Sequence, residues 1–223
     1  EIMKCDLFQV YGLTETAGAI TILMPEDHDP EKGKLRSCGK ALNSVEIKVV
    51  DDEGNEVKTG DIGEVISKSP LNMKGYWNRP DATEEAIKDG WFYSGDAGFF
   101  DDEGYLYIHD RVKDMIVSGG ENIYPAEVEN ALMSHPEIAD AAVIGVPDDK
   151  WGESVKGFVV LQPDSNLDET EIISYSRTQI AGYKCPKTIN FIEALPRNPS
   201  GKILRRELRE PFWEGKDRMV SGN

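Results

Sequence analysis

Residues 91–129 read W-F-Y-S-G-D-A-G-F-F-D-D-E-G-Y-L-Y-I-H-D-R-V-K-D-M-I-V-S-G-G-E-N-I-Y-P-A-E-V-E, and the change of character within them decides the fold. In the first half Tyr105, Tyr107 and His109 alternate with Leu106 and Ile108, the period of a half-buried strand. After the charged run Asp110-Arg111-Val112-Lys113-Asp114 come a short apolar stretch, a Ser118-Gly119-Gly120 turn, and Pro125 at the first turn of a helix, where a missing amide proton costs little. A strand-rich body meets an α+β module at this charged crossing.

Working outward, Val45, Ile47 and Val49 alternate with Glu46 and Lys48, Asp51-Asp52-Glu53-Gly54-Asn55 predicts a hairpin turn, and Gly63-Glu64-Val65-Ile66 starts another strand. Asp81, after Pro80, is expected to cap a short helix with Glu84 in capping-box spacing. Several short strands at this spacing predict a small distorted β-barrel over 26–112. Before them, Phe8-Gln9-Val10 reads as a strand running into a Tyr11-Gly12 turn that opens a helix.

Beyond the crossing, 126–133 is expected to be a helix with Val128, Ala131 and Leu132 on one face. Strands are expected over 139–146, 155–161 and 188–192. Asp168 and Glu171 form a capping box for a further helix, and 205–210 form a last one. The fold class is therefore α+β, the barrel being followed by a compact α+β domain over 113–223.

The 223 residues suffice for one large or two small domains, and 39% hydrophobic with 30% charged residues fits a globular protein. Twenty-five Lys and Arg against 41 Asp and Glu give a net charge of −16, which argues against a nucleic-acid partner. Cys5, Cys38 and Cys185 are odd in number and without CxxC spacing, so neither a disulfide framework nor a zinc site is expected, and reducing cytoplasm is the simplest location. His28, His109 and His135 are equally scattered. No apolar run reaches the roughly 18 residues of a membrane helix. The chain opens at Glu1 without a methionine, and a piece of a longer protein is expected.

Tyr11, Thr14 and Glu15 offer a ring to stack on, a hydroxyl donor for phosphate and a carboxylate for magnesium, though an ordinary hairpin with a buried tyrosine reads the same way. Asp96, expected at a strand end, can accept from both hydroxyls of a ribose, with Arg111 donating to the same sugar; a plain surface ion pair is the other reading. Lys113 suits a hinge as well as a solvated linker. Between Lys184 and Arg209 lie seven basic residues (Lys184, Lys187, Arg197, Lys202, Arg205, Arg206, Arg209) against two acidic ones, Glu193 and Glu207. That local reversal suits a phosphate-rich ligand. Lys202 follows the turn Asn198-Pro199-Ser200-Gly201, which would project it outward.

Three blocks, in order, resemble the adenylate-forming acyl-CoA synthetases. They are Val10-Tyr11-Gly12-Leu13-Thr14-Glu15; Tyr93-Ser94-Gly95-Asp96 through Asp110-Arg111-Val112-Lys113-Asp114 to Gly120-Glu121-Asn122-Ile123-Tyr124-Pro125; and Pro196-Arg197-Asn198-Pro199-Ser200-Gly201-Lys202. The resemblance implies that 1–25 are the tail end of an N-terminal AMP-binding domain, 26–112 its barrel subdomain and 113–223 a C-terminal lid. It places Tyr11 and Gly12 at the adenine, Thr14 at the α-phosphate, Glu15 on Mg²⁺ and Asp96 and Arg111 on the ribose. Lys113 becomes the pivot, Lys202 the catalytic ammonium, and the backbone of Ser118, Gly119 and Gly120 the lining of a pantetheine tunnel.

The implied activity is activation of a carboxylic acid, a fatty acid for preference, with MgATP to an acyl-adenylate, followed by transfer to coenzyme A. The wording Ser-Gly-Gly-Glu-Asn-Ile-Tyr-Pro is similar to fatty-acyl and aryl CoA ligases. The alternatives are adenylation for a carrier protein and a stand-alone nucleotide-binding or interaction module. The family's phosphate loop and most of its acyl pocket lie before the Tyr11 block, so the implied partners include the missing N-terminal domain, a homodimer is compatible, and this chain by itself is expected to be inactive.

Overall fold

The structure, a computed structural model, describes residues 5–215. The ends of the first and third expected domains, 1–4 and 216–223, lie outside the described residues. Two compact units part between Val112 and Lys113.

In the first unit β1 (Gln9–Leu13), β2 (Gly18–Leu23) and β3 (Lys40–Ala41) form a three-stranded antiparallel sheet. A second antiparallel sheet holds β4 (Glu46–Val50), β5 (Gly63–Lys68), β6 (Ile87–Lys88), β7 (Trp91–Phe100) and β8 (Leu106–Arg111). Its order is β4-β5-β7-β6, with β8 also paired to β7. A bridge between Gly39 and Leu106 joins the sheets, with Cys38 N donating to Leu106 O at 2.7 Å and Leu106 N to Gly39 O at 2.9 Å. The result is a curled half-barrel, the expected small barrel left open. Its core is Val49, Val65 and Leu106, with Tyr11, Ile47 and Phe100 packed against them.

Two local expectations are corrected. Tyr11 and Gly12 do not turn the chain into a helix, because β1 continues through them to Leu13 and the helix is a single 3-10 turn, Thr14–Thr16. Gly12 serves close strand approach instead: a Cβ there would lie 2.0 Å from Gly18 O across the hairpin. Asp81 does not cap its helix either. Pro80 is the first residue of α1 (Pro80–Ala86), which makes Arg79 the cap, without a side-chain bond. Asp81 lies inside the first turn and pairs with Arg79 at 2.9 Å.

In the second unit β9 (Ile116–Ser118), β10 (Glu121–Ile123), β11 (Ile138–Asp148), β12 (Gly152–Leu161) and β13 (Thr188–Phe191) form one sheet in the order β10-β9-β12-β11, with β13 parallel on β12. Helices α2 (Pro125–Met133) and α3 (Glu169–Gln179) cover one face, bringing Val128, Leu132 and Ile172 onto Val143, Val155 and Val159. Helix α4 (Arg205–Trp213) covers the other, where Leu208 and Phe212 meet Ala142, Ile144 and Phe158. Burial on both faces explains the unbroken apolar run Ala141-Ala142-Val143-Ile144. The Asp168–Glu171 capping box forms as expected, at 2.8 and 3.0 Å.

The β11–β12 hairpin runs further than its expected strands, through Pro147 and Asp148 on one side and from Gly152 on the other. Asp148 Oδ1 closes the turn by accepting from Lys150 N and Trp151 N, both at 3.0 Å. Helix α4 passes the expected end at Glu210 despite Pro211. Packing overrides local propensity there: the Phe212 ring lies 6.3 Å from that of Phe158, and Trp213 Nε1 donates to Gly145 O at 3.0 Å.

Candidate functional site

The first unit's site is built on a break in the sheet ladder. Ile66 pairs with Tyr93 and Glu64 with Ala97, so Val65 of β5 faces three residues of β7: Ser94, Gly95 and Asp96. Two extra residues cannot be absorbed without a bulge, which strands the polar groups of the main chain. Side chains satisfy them here. Ser94 Oγ donates to Val65 O at 2.6 Å and accepts from Asp96 N at 3.0 Å. Glu64 Oε1 accepts from Gly95 N at 2.8 Å, and Arg111 Nη1 donates to Ser94 O at 3.1 Å. Gly95 has a φ of +70°, a conformation that disfavours a side chain.

Asp96 lies in mid-strand on this bulge, not at the strand end expected from Ser94-Gly95. It is 6% exposed. Tyr11 OH donates to its Oδ2 at 2.6 Å, and Arg111 Nε pairs with its Oδ1 at 2.9 Å. Burial, followed by the Asp96 charge, raises the Tyr11 phenol well above its ordinary range, so the hydroxyl stays protonated and donates. A carboxylate held in this way can accept from the two hydroxyls of a cis-diol.

Thr14 is exposed on the 3-10 turn, while Thr16 is buried and pins that turn by accepting from Leu13 N at 3.0 Å. Glu15 is tied to the segment before α1, its Oε1 accepting from Tyr76 OH at 2.9 Å and its carbonyl from Met73 N at 2.7 Å. Among the described residues, no group of three His, Cys, Asp or Glu is placed to hold a metal. A magnesium ion at Glu15 would therefore draw its other ligands from phosphate and water, as that ion commonly does.

In the second unit Lys202 sits on a tight loop between Arg197 and Ile203, which form a bridge. Asn198 Oδ1 accepts from Ser200 N at 3.0 Å and from Lys202 N at 2.9 Å, folding the turn around itself. Arg197 clamps the loop to the sheet, donating to Gly201 O and to Asp140 Oδ2, each at 2.6 Å. The basic surplus expected to form a phosphate patch is mostly neutralised within the unit. Lys184 pairs with Glu127 and Lys187 with Asp148; Arg197 pairs with Asp140, Arg205 with Glu129 and Asp114, and Arg209 with Asp114. Of the seven, Lys202 and Arg206 have no ion pair among the described residues, and both are exposed.

Val112–Asp114 is a single 3-10 turn. Arg111, before it, is held by Asp96 in the first unit. Asp114 is held by Arg209 at 2.7 Å in the second. Ser118 and Glu121 pair around a two-residue turn in which Gly119 and Gly120 have φ of +62° and +87°, the signs a type I′ hairpin requires. Gly119 N donates to Trp151 O at 2.8 Å, and a Cβ on Gly119 would lie 2.7 Å from the Trp151 ring. Glu64, Tyr76, Trp151 and Asp114 were not singled out in the sequence. Each acts through a contact far along the chain, which leaves no local pattern.

The family model for AMP-binding enzymes matches residues 1–77, and that for the AMP-binding enzyme C-terminal domain matches 127–202. A fatty acid–[acyl-carrier-protein] ligase of Streptomyces coeruleorubidus is 44% identical over 220 residues, covering 99% of this chain and 42% of the relative. A long-chain-fatty-acid–CoA ligase of Mycobacterium tuberculosis is 47% identical over 207 residues, covering 93% and 40%. Among solved structures, o-succinylbenzoate coenzyme A synthetase from Bacillus subtilis, in complex with ATP and magnesium ion, superposes with a TM-score of 0.81 at 43% identity, covering 90% of this chain and 41% of that one. The chain belongs to the AMP-binding enzyme family, and its fold is that of the acyl-CoA synthetase-like adenylate-forming enzymes. It spans about two fifths of the length of the relatives it matches.

Proposed function

We propose that this chain is the nucleotide-gripping and lid portion of an acid–thiol ligase. The whole enzyme joins a carboxylic acid to ATP as an acyl-adenylate, releases pyrophosphate, and then passes the acyl group to the thiol of coenzyme A. The observation that carries the reading is Asp96, a carboxylate buried on its bulge and oriented by Tyr11 and Arg111, the residue type that accepts from both hydroxyls of a ribose.

In this reading the Tyr11 ring and Gly12 backbone border the adenine and Thr14 donates to the α-phosphate. Glu15 would help hold magnesium, which when bound would offset phosphate charge. Lys202 supplies a compact ammonium between the attacking carboxylate and the α-phosphate, where negative charges crowd as the new bond forms. Its exposure and its loop, fixed from Arg197 and Asn198, favour that role. Lys113 is the pivot, lying between anchors at Arg111 and Asp114. The turn at Ser118, Gly119 and Gly120 then offers its backbone to the pantetheine arm, the two glycines adding no side chain to it. Domain limits of 1–25, 26–112 and 113–223 go with this reading, as do a missing N-terminal domain and cytoplasmic action, and a homodimer is compatible with it.

A carrier-bound thiol in place of coenzyme A is favoured by one observation, the acyl-carrier-protein ligase among the relatives. The test is thiol-dependent pyrophosphate release by the full-length enzyme across carboxylic acids of increasing chain length, with free coenzyme A and with a phosphopantetheinylated carrier. Release with coenzyme A supports the first reading and release with the carrier alone the second. Release with neither removes both.

A further inference from the structure

We propose that Glu64 is a positioning residue for the nucleotide's ribose: its carboxylate holds the Gly95 amide and thereby fixes the direction in which Asp96 presents its oxygens. The inference rests on the assignment of Asp96 to the ribose.

The bulge makes a regular ladder impossible between Glu64–Ala97 and Ile66–Tyr93. In an unbroken ladder Gly95 N would donate to a main-chain carbonyl, but across this break the Glu64 side chain supplies the acceptor, at 2.8 Å. The next residue is Asp96. With Gly95 at φ +70° the chain has few neighbouring conformations that Ala97 and Ser94 would tolerate, since both are themselves bonded into the sheet. Rotation at Gly95 would swing Asp96 away from Tyr11 and Arg111 together.

The arrangement is costly, which argues against a purely structural device. Removing the two extra residues would let a regular ladder satisfy the same groups without any side chain. Instead three side chains, from Glu64, Ser94 and Arg111, maintain the bulge. Burying the Glu64 carboxylate is itself unfavourable and pushes its carboxyl above the ordinary range; the Gly95 amide and Lys88 pull it back, and Asp96 and Asp52 add smaller upward pushes.

The experiment uses the full-length enzyme and compares kcat/KM for ATP with kcat/KM for 2′-deoxy-ATP in pyrophosphate release. Glu64→Leu, which cannot accept from Gly95, is expected to lower the preference for ATP about tenfold, the worth of one charge-assisted hydrogen bond to the sugar. Glu64→Gln keeps an acceptor oxygen and is expected to retain the preference within about threefold. If Glu64→Leu does not fold, Glu64→Asp, one methylene too short, gives the same reading. A variant that loses the Gly95 bond, seen as faster exchange of its amide proton, yet keeps the full preference for ATP overturns the proposal. Asp96→Ala is the control. If it leaves the preference intact, the ribose assignment itself falls and this role with it, whereas a preference lost in Asp96→Ala but kept in Glu64→Leu overturns Glu64 alone.

Discussion

Tyr11 and Asp96 are 85 residues apart in sequence and joined by one hydrogen bond of 2.6 Å, and a double-mutant cycle on that pair tests how the site is held. Tyr11→Phe removes the hydroxyl and keeps the ring that packs on the half-barrel core. Asp96→Ala removes the acceptor and also the Arg111 pair, but that second loss is common to both variants lacking Asp96 and cancels in the cycle. The acceptor is charged and 6% exposed, and the donor is held protonated by burial. A coupling of about 1.5–3 kcal/mol is therefore expected, the range for hydrogen bonds to charged groups. The two units need not unfold together, so the free energy is best read from hydrogen exchange at the amides of Asp96 and Ala97, which report opening of β7 locally. A coupling under about 0.5 kcal/mol would refute the claim that the phenol orients the carboxylate.

Three further outcomes follow from the contacts. Gly12→Ala would drive a methyl against Gly18 O, backbone on both sides, and is expected to cost about 3 kcal/mol by thermal unfolding; an unchanged midpoint contradicts the close approach. Asp114→Ala leaves Arg209 without its ion-pair partner and weakens the charge balance at Arg205, so a loss of about 3 kcal/mol in urea unfolding of the second unit is expected, and a loss under about 1 kcal/mol would mark the cluster as a surface feature. Glu64 has a raised carboxyl in the fold, so the folded state binds more protons than the unfolded one above the ordinary value of 4.5, and its contribution to stability falls as pH rises through that window. The difference in melting temperature between wild type and Glu64→Gln should accordingly grow in favour of the variant as pH rises from 4.5, and a difference independent of pH sinks the argument.

Much of this was legible in the sequence, and the exceptions share a cause. Alternation in Val45–Val49, the Asp168–Glu171 box and Pro125 at a helix start all concern neighbours within a few residues, and all appear in the fold. The change of pattern across Asp110–Asp114 coincides with the parting of the two units at Val112 and Lys113. The misplaced features depended on partners far along the chain. Gly12 reads as a turn until Gly18 is known to lie against it. Asp96 reads as a strand end until Glu64, Ser94 and Arg111 are seen holding a bulge open. The basic run from Lys184 to Arg209 looks like a phosphate patch because its counterions, Asp114, Glu127, Glu129, Asp140 and Asp148, lie 39 to 95 residues away. Summed charge along a segment cannot reveal such pairing. It is the pairing of the other five that sets Lys202 and Arg206 apart.

The most direct measurement separates the two half-reactions in the full-length enzyme carrying Lys202→Ala. Formation of acyl-adenylate, followed by pyrophosphate exchange, is expected to fall by about two orders of magnitude or more, the scale of a lost electrostatic contact in a transition state. Thioester formation from supplied acyl-adenylate should stay within about threefold of wild type, because the carboxylate and the α-phosphate, the two anions the ammonium brings together, are then already joined as a mixed anhydride. Equal loss in both half-reactions, or none in either, would contradict the account.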